Sequence, residues 1–484
     1  SLTSMRRLLL LASLSPSASF GGLSAAREQL IEPYVENPPP PAFAAAAARC
    51  TERIGSSLGS EWMLCVVNEL LAAQRNPPDD VPPLPFEVVP HLLDPFRPDP
   101  AYRSKPGYRS SDELRFLLRD YSCDTEDGGS QPIRSFDWTY HPPDPCNIDH
   151  IEPGTGTDLV MNSRVAEMGY IYRGGFLPAG DDLSHLNGRM SEAAAMALCA
   201  AHKACAGFTY NSGDRGRARG EEEVLFKSLA ENVAVAPGWH TVRKRADSGV
   251  DCRPGLRPPA PPPITFNVKV LREEPPVFQV DGFVSEKLCQ AMVNSTVPKM
   301  GRSVVSGGGF SSARRSYSVN MYPEFDDPSM PVTQVARALF SFAREVAGYD
   351  TLKEGPGQEP VNAVFYQHYG DQYRNHCDGE CNGGPWLEGK RIATGLVYCE
   401  APEQGGYTIF TRSGIKSIPQ VGRLLFFGYK LKDPNSESGW KATMDDGHTE
   451  HSGCPLRKGR KWIATMWFRE GVSAEKDWMA MRDL

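Results

Sequence analysis

The chain has no apolar run that approaches the roughly 18 residues a membrane-spanning helix needs, once its first two dozen residues are set aside. It also has no long basic stretch, and a net charge of −7 with a pI near 5.9 excludes nucleic acid from the expected partners. No C-x-x-C pair is followed by a second, so a structural zinc site is not expected. The 42 prolines and 45 glycines do not recur with a three-residue period, which excludes a collagen-like rod. Asn294-Ser-Thr is the sole N-glycosylation acceptor, and Met481-Arg-Asp-Leu484 lacks a full K-D-E-L retrieval signal.

What is present is enough apolar material for real cores, 40% hydrophobic and 10% aromatic, over 484 residues. Residues 1–24 read as a signal peptide: Met5-Arg-Arg7 is a short basic region, Leu8 to Leu14 an apolar one, and small residues follow. Twelve cysteines agree with an oxidising compartment, so the endoplasmic reticulum lumen or secretory pathway is the expected location. Their pairing is not readable from one sequence, although Cys377, Cys381, Cys399 and Cys454 are candidates for disulfides or for oxidation-prone thiols.

Composition divides the chain. Residues 25–150 contain a helical stretch from Ala44 to Gln74 and then Pro-rich text, and no function is assigned to them. Residues 151–252 form a separate module, in which a helix capped at Ser191 runs into Cys199-x5-Cys205-Ala-Gly-Phe and a strand. That pattern, with a closing Trp239-x-Thr241, resembles PAN/apple-type modules, which implies a glycan or protein ligand. Residues 253–264 are a Pro-rich linker. Residues 265–475 are orderly. A helix with Val332, Val335, Leu339, Phe342 and Val346 on one face is followed by short strands, predicting an α+β domain on a β-sandwich or jelly roll.

Within this last region lies His376-x-Asp378. Alternate strand residues point the same way, so the two side chains can converge on one ion while Cys377 faces away. Two imidazoles and a carboxylate are the set that holds non-haem Fe(II) on one face and leaves other positions open. His451 and His448 compete as the second imidazole. His451 is preferred for its Gly-Cys-Pro context and its spacing to Lys461, since His448 lies in the Asp445-Asp-Gly447 turn.

The text Tyr373-x-x-His376-x-Asp378, Arg391-Ile-Ala-Thr394, Gly405-Gly-x-Thr408-x-Phe410, Pro419-x-x-Gly422 and His451-x-Gly-Cys-Pro-x6-Trp462 resembles the prolyl 4-hydroxylase catalytic domain of the Fe(II)/2-oxoglutarate oxygenases. The resemblance implies a double-stranded β-helix, with His376, Asp378 and His451 as the iron triad. It implies that Lys461 pairs the distal carboxylate of 2-oxoglutarate and that Thr408 and Tyr366 hydrogen-bond the same molecule. Tyr373, Arg391 and Trp467 would line the peptide groove. The implied reaction uses Fe(II), 2-oxoglutarate and O2 to convert peptidyl proline in a proline-rich protein to 4-hydroxyproline, releasing succinate and CO2, with L-ascorbate as reductant. The resemblance leaves room for a partner subunit. It equally leaves open a lysyl or small-molecule substrate, or a secreted binding protein whose recognition lies in residues 151–252. Trp467-Phe-Arg469 departs from the family's frequent Trp-x-His, a difference on the peptide side of the site.

Overall fold

The computed structural model describes residues 38–75, 108–125, 128–143, most of 170–244 and, with short gaps, 259–478. The signal-peptide reading, most of the Pro-rich linker, Cys146 and Cys252 fall outside the described residues.

Three helices come first: α1 (Pro41–Ile54), α2 (Ser60–Arg75) and α3 (Tyr108–Asp124). The helix expected over 44–74 is two, because Gly55 ends α1 in the left-handed conformation that a residue with a Cβ adopts only at a cost. Phe43, Trp62, Val66, Leu114 and Leu118 close a small core, and a Cys50–Cys65 disulfide ties α1 to α2. After β1 (Arg134–Tyr140), the module contains β2 (Tyr170–Gly174), β3 (Gly188–Ser191), α4 (Glu192–Ala201), β4 (Gly207–Asn211), β5 (Glu221–Lys227) and β6 (Trp239–Lys244). These strands make one antiparallel sheet in the order β2-β6-β4-β5-β3. Ser191 accepts the Ala194 amide at the start of α4, as its position before the apolar run predicts, and Cys199 and Cys205 are bonded.

The remainder runs β7 (Ile264–Arg272), β8 (Val277–Val280), α5 (Glu286–Thr296), β9 (Gly301–Arg302), β10 (Arg314–Arg315), β11 (Tyr317–Met321), α6 (Pro331–Glu345), β12 (Val361–Tyr366), β13 (Gln372–His376), β14 (Arg391–Glu400), β15 (Gln404–Gly405), β16 (Thr408–Phe410), β17 (Ile415–Ser417) and β18 (Leu424–Gly428). It ends with β19 (Lys430–Lys432), β20 (Trp440–Met444), β21 (His451–Gly453), β22 (Leu456–Lys458) and β23 (Lys461–Arg469). A nine-stranded sheet, β1-β7-β8-β18-β14-β23-β12-β11-β9, accompanies a five-stranded one, β10-β13-β21-β16-β17.

Strand alternation sorts the side chains of the large sheet between two cores. Leu424, Phe426, Ala464, Met466 and Phe468 join the cluster that includes Leu339 and Phe342 of α6, whereas Leu425, Phe427, Ile463, Leu396 and Tyr398 join Phe410 and Ile415 of the smaller sheet. At Gly395 the sheet meets α6: a Cβ there would lie 2.9 Å from a Leu339 methyl. Cys289 of α5 is bonded to Cys399 of β14.

Two findings move the expected boundaries. The large sheet does not begin at residue 265, because β1, read as part of residues 25–150, pairs with β7 along its whole length from Arg134↔Val270 to Tyr140↔Ile264. The helical unit is also fastened to the small sheet by the disulfide Cys123–Cys454. Neither contact has a local signature, since the partners lie more than a hundred residues apart in the sequence.

Candidate active site

His376 ends β13 and His451 begins β21, and the two are directly opposed across the antiparallel pair. Asp378 lies two residues beyond His376. Its carboxylate oxygens are 3.5 Å from His376 Nε2 and 3.7 Å from His451 Nε2, and the three ligand atoms lie within 4.8 Å of one another. That spacing suits three donors sharing one ion at about 2 Å each. Both imidazoles are aimed by their other nitrogen: His376 Nδ1 is 2.8 Å from the Arg374 carbonyl, and His451 Nδ1 is 3.0 Å from that of Thr449. A histidine so held presents Nε2 as the ligand. His448 is elsewhere, with its amide bonded to Asp445 and its carbonyl accepting from Ser413.

The carboxylate is held as firmly. Thr394 Oγ1 donates to Asp378 Oδ2 at 2.9 Å, and the Arg391 guanidinium donates to the Asp378 carbonyl at 2.7 Å. Burial pushes this carboxyl up, but His451, His376 and Arg391 outweigh it and leave the group well below the usual carboxylate range. Burial, helped by His376 and opposed by Asp378, lowers His451 to about 4, so it stays neutral and ready to ligate. Gly379 follows because a Cβ there would meet the Tyr429 ring at 2.3 Å.

The triad opens into a pocket with an empty volume of about 430 Å³, also lined by Tyr366, Tyr373, Thr408, Lys461 and Trp467. Alternation explains the lining: Lys461, Ile463, Thr465 and Trp467 of β23 face it, and so do Asn362, Val364 and Tyr366 of β12. Lys461 and Tyr366 are cross-strand partners. Lys461 is 2% exposed, with its ammonium 5.1 Å from the Tyr366 ring and 5.6 Å from the Tyr398 ring. Among the described residues no carboxylate meets it, and burial alone lowers it to about 7. Thr408 accepts from the Tyr398 hydroxyl at 2.8 Å, which leaves its own O–H as a donor.

The expected groove residues divide. Tyr373 stacks on His376 with ring centres 3.6 Å apart, under the Arg314 guanidinium. Trp467 carries a buried indole N–H with no hydrogen-bond partner among the described residues. Arg391 is instead committed to structure: it is bidentate to Glu359, grips the Asp378 backbone, and lies 3.9 Å from the Trp467 ring centre. Sequence reasoning missed Tyr398, although Thr394, Leu396 and Tyr398 alternate on one face of β14, and it missed Glu359, for which no local signal exists. Cys377 is bonded to Cys381, Cys454 to Cys123 and Cys399 to Cys289, so no thiol is free among the described residues.

Residues 362–469 match the family model described as the 2OG-Fe(II) oxygenase superfamily. Prolyl 4-hydroxylase 5 of Arabidopsis thaliana is 27% identical over 221 residues, which are 42% of this chain and 70% of that protein. Prolyl 4-hydroxylase subunit alpha-3 of Homo sapiens is 26% identical over 206 residues, 42% of this chain but only 35% of its own length. Among solved structures, the viral collagen prolyl hydroxylase of Paramecium Bursaria Chlorella virus-1, in its 2OG complex, is 24% identical with a TM-score of 0.31, covering 40% of this chain and 95% of that one.

Proposed function

We propose that this domain, of the 2OG-Fe(II) oxygenase superfamily and similar to prolyl 4-hydroxylases, hydroxylates prolyl residues of a proline-rich peptide at C4. The observation that carries the reading is one pocket joining a two-histidine, one-carboxylate triad to a buried lysine that has no counter-ion among the described residues. Fe(II) bound there, with 2-oxoglutarate and O2, supplies the oxidation of C–H to C–OH with succinate and CO2 as co-products. We read the two sheets as the double-stranded β-helix that carries such sites.

The protein's own residues do the placing. His376, Asp378 and His451 would hold the ion, and the carbonyls of Arg374 and Thr449 fix the orientation of both imidazoles. Lys461 receives the distal carboxylate of 2-oxoglutarate, for which a point charge at the closed end of a pocket suffices. The hydroxyls of Thr408 and Tyr366 offer further donors beside it. The apolar walls, Val364, Leu396 and Ile463, exclude water from the reacting centre. In the pocket lining, the Trp467 N–H has a hydrogen bond to give to a substrate carbonyl, and Tyr373, stacked on His376, adds an aromatic wall.

We assign ascorbate as the reductant and a secretory compartment as the location; five disulfides among the described residues support the latter. We read residues 151–252, whose described part has one helix on a five-stranded antiparallel sheet and a disulfide from Cys199 of that helix to Cys205 just before β4, as the PAN/apple-like module, with a glycan or protein ligand. Succinate release is the test. It should require Fe(II) and 2-oxoglutarate, rise with a proline-rich peptide, and place a hydroxyl on C4 of proline by mass spectrometry. Succinate release that is stimulated by lysyl peptides and not by prolyl ones refutes the assignment.

A further inference from the structure

We propose that Arg119, a residue of the N-terminal helical unit, is a positioning residue for the metal centre that holds the two histidine-bearing strands together from behind. The inference rests on the triad being the metal site.

Arg119 has no exposed surface. Burying a guanidinium costs free energy unless every donor is met, so its surroundings are informative. Nε donates to Ser452 Oγ at 2.8 Å and Nη2 to the Gly453 carbonyl at 2.7 Å, both in β21 directly after His451. Nη1 donates to Gln372 Oε1 at 2.7 Å, in β13 four residues before His376, and to Asp120. Ser452 in turn donates to the Tyr373 carbonyl at 2.8 Å, which continues the bridge across the strand pair. One side chain from outside the sheet thus grips both strands that present histidines.

The strand pair needs such a grip. β13 and β21 are in register at Tyr373↔Gly453 and again at His376↔His451, but the ladder is interrupted between those points. Residues left out of a regular ladder lose the cross-strand bonds that fix their position. The guanidinium fork and Ser452 supply ties at that irregularity. Two neighbours on α3 extend the clamp: Arg115 pairs with Glu450, the residue before His451, and the Arg374 guanidinium lies 4.5 Å from the Phe116 ring centre. The Cys123–Cys454 disulfide fixes the end of α3 to the residue after Gly453. The sequence places all of this more than 250 residues from its targets.

The test uses the full chain and Co(II), whose binding and visible absorption report the site without turnover. Wild type should bind one Co(II); failure to bind sinks the metal reading itself and not this inference alone. Arg119→Lys keeps the charge but not the fork, and Arg119→Met loses both. Each should bind Co(II) at full stoichiometry with affinity about ten- to a hundredfold weaker and with an altered visible spectrum, as for other residues that orient a metal ligand. A merely structural role would instead lower the fraction of sites that bind and leave the affinity of the remainder unchanged. Ser452→Ala tests the receiving side, decides the matter if Arg119→Met does not fold, and should weaken binding in the same sense. Arg49→Ala, in a surface pair with Glu69 on the same helical unit, should bind as wild type. Folded Arg119→Lys and Ser452→Ala variants that bind within about twofold of wild type, where tenfold is expected of such residues, overturn the proposal.

Discussion

The perturbed lysine at the base of the pocket gives the sharpest test. Lys461 sits at about 7 before any co-substrate enters, because burial penalises its charge. A carboxylate placed against it restores an ordinary lysine value, so binding must draw in a proton. At pH 8 about one free site in eleven is protonated while nearly every occupied site is, giving an uptake of about 0.9 proton per 2-oxoglutarate bound. At pH 6 the uptake falls to about 0.1. The dissociation constant should therefore rise about tenfold between pH 6 and 8 and about tenfold again by pH 9. Isothermal titration with Mn(II) in place of iron, in buffers of different ionisation enthalpy, reads the uptake directly. Lys461→Met separates binding from folding. The folded value lies below the unfolded one, so the unfolded chain holds more protons between about 7 and 10.5, and the burial cost fades as pH rises through that window. Removing the amine should weaken 2-oxoglutarate binding yet raise stability at pH 6, by an upper bound of roughly 5 kcal/mol, with the gain vanishing toward pH 10. An affinity flat from pH 6 to 9 with no buffer dependence refutes the argument.

Three other outcomes follow from the packing. Glu359→Gln leaves the partly buried guanidinium of Arg391 and the buried one of Arg469 without their carboxylate, costing about 3–5 kcal/mol in denaturant titration and loosening the Asp378 backbone enough to weaken metal binding. Replacing Cys123 and Cys454 together with serine removes a link across 331 residues and should cost about 4 kcal/mol in the same assay; an unchanged midpoint would show that the helical unit stays docked without it. Leu339→Ala opens a cavity where α6 meets Gly395, and thermal unfolding should report a loss of about 2–5 kcal/mol.

Legibility in the sequence followed distance along the chain. Helix α6 and the strands β12, β14, β18 and β23 were readable because their apolar periods are local, and Ser191 and Ser285 cap helices as their positions before apolar runs imply. The pair His376 and Asp378 was readable for the same reason. His451 needed the context of its own neighbourhood, since only the closing of the sheet brings it opposite His376. Tyr398 was within reach of the alternation rule. Arg119, Glu359 and strand β1 were not, because a buried cation, its carboxylate and an edge strand look like solvated text until the fold supplies their partners.

The pairing of β1 with β7 bears on how the chain is threaded. Tyr140 and Ile264 are opposed residues at one end of that ladder, so the path that leaves the sheet at the first returns to it at the second, one strand spacing away. The five-stranded module of residues 170–244 lies in sequence between those two opposed residues. Insertions of this kind leave the host's connectivity intact, since the two ends already meet. Replacing the module by a short turn between Tyr140 and Ile264 should therefore leave the pairing of β1 with β7 intact.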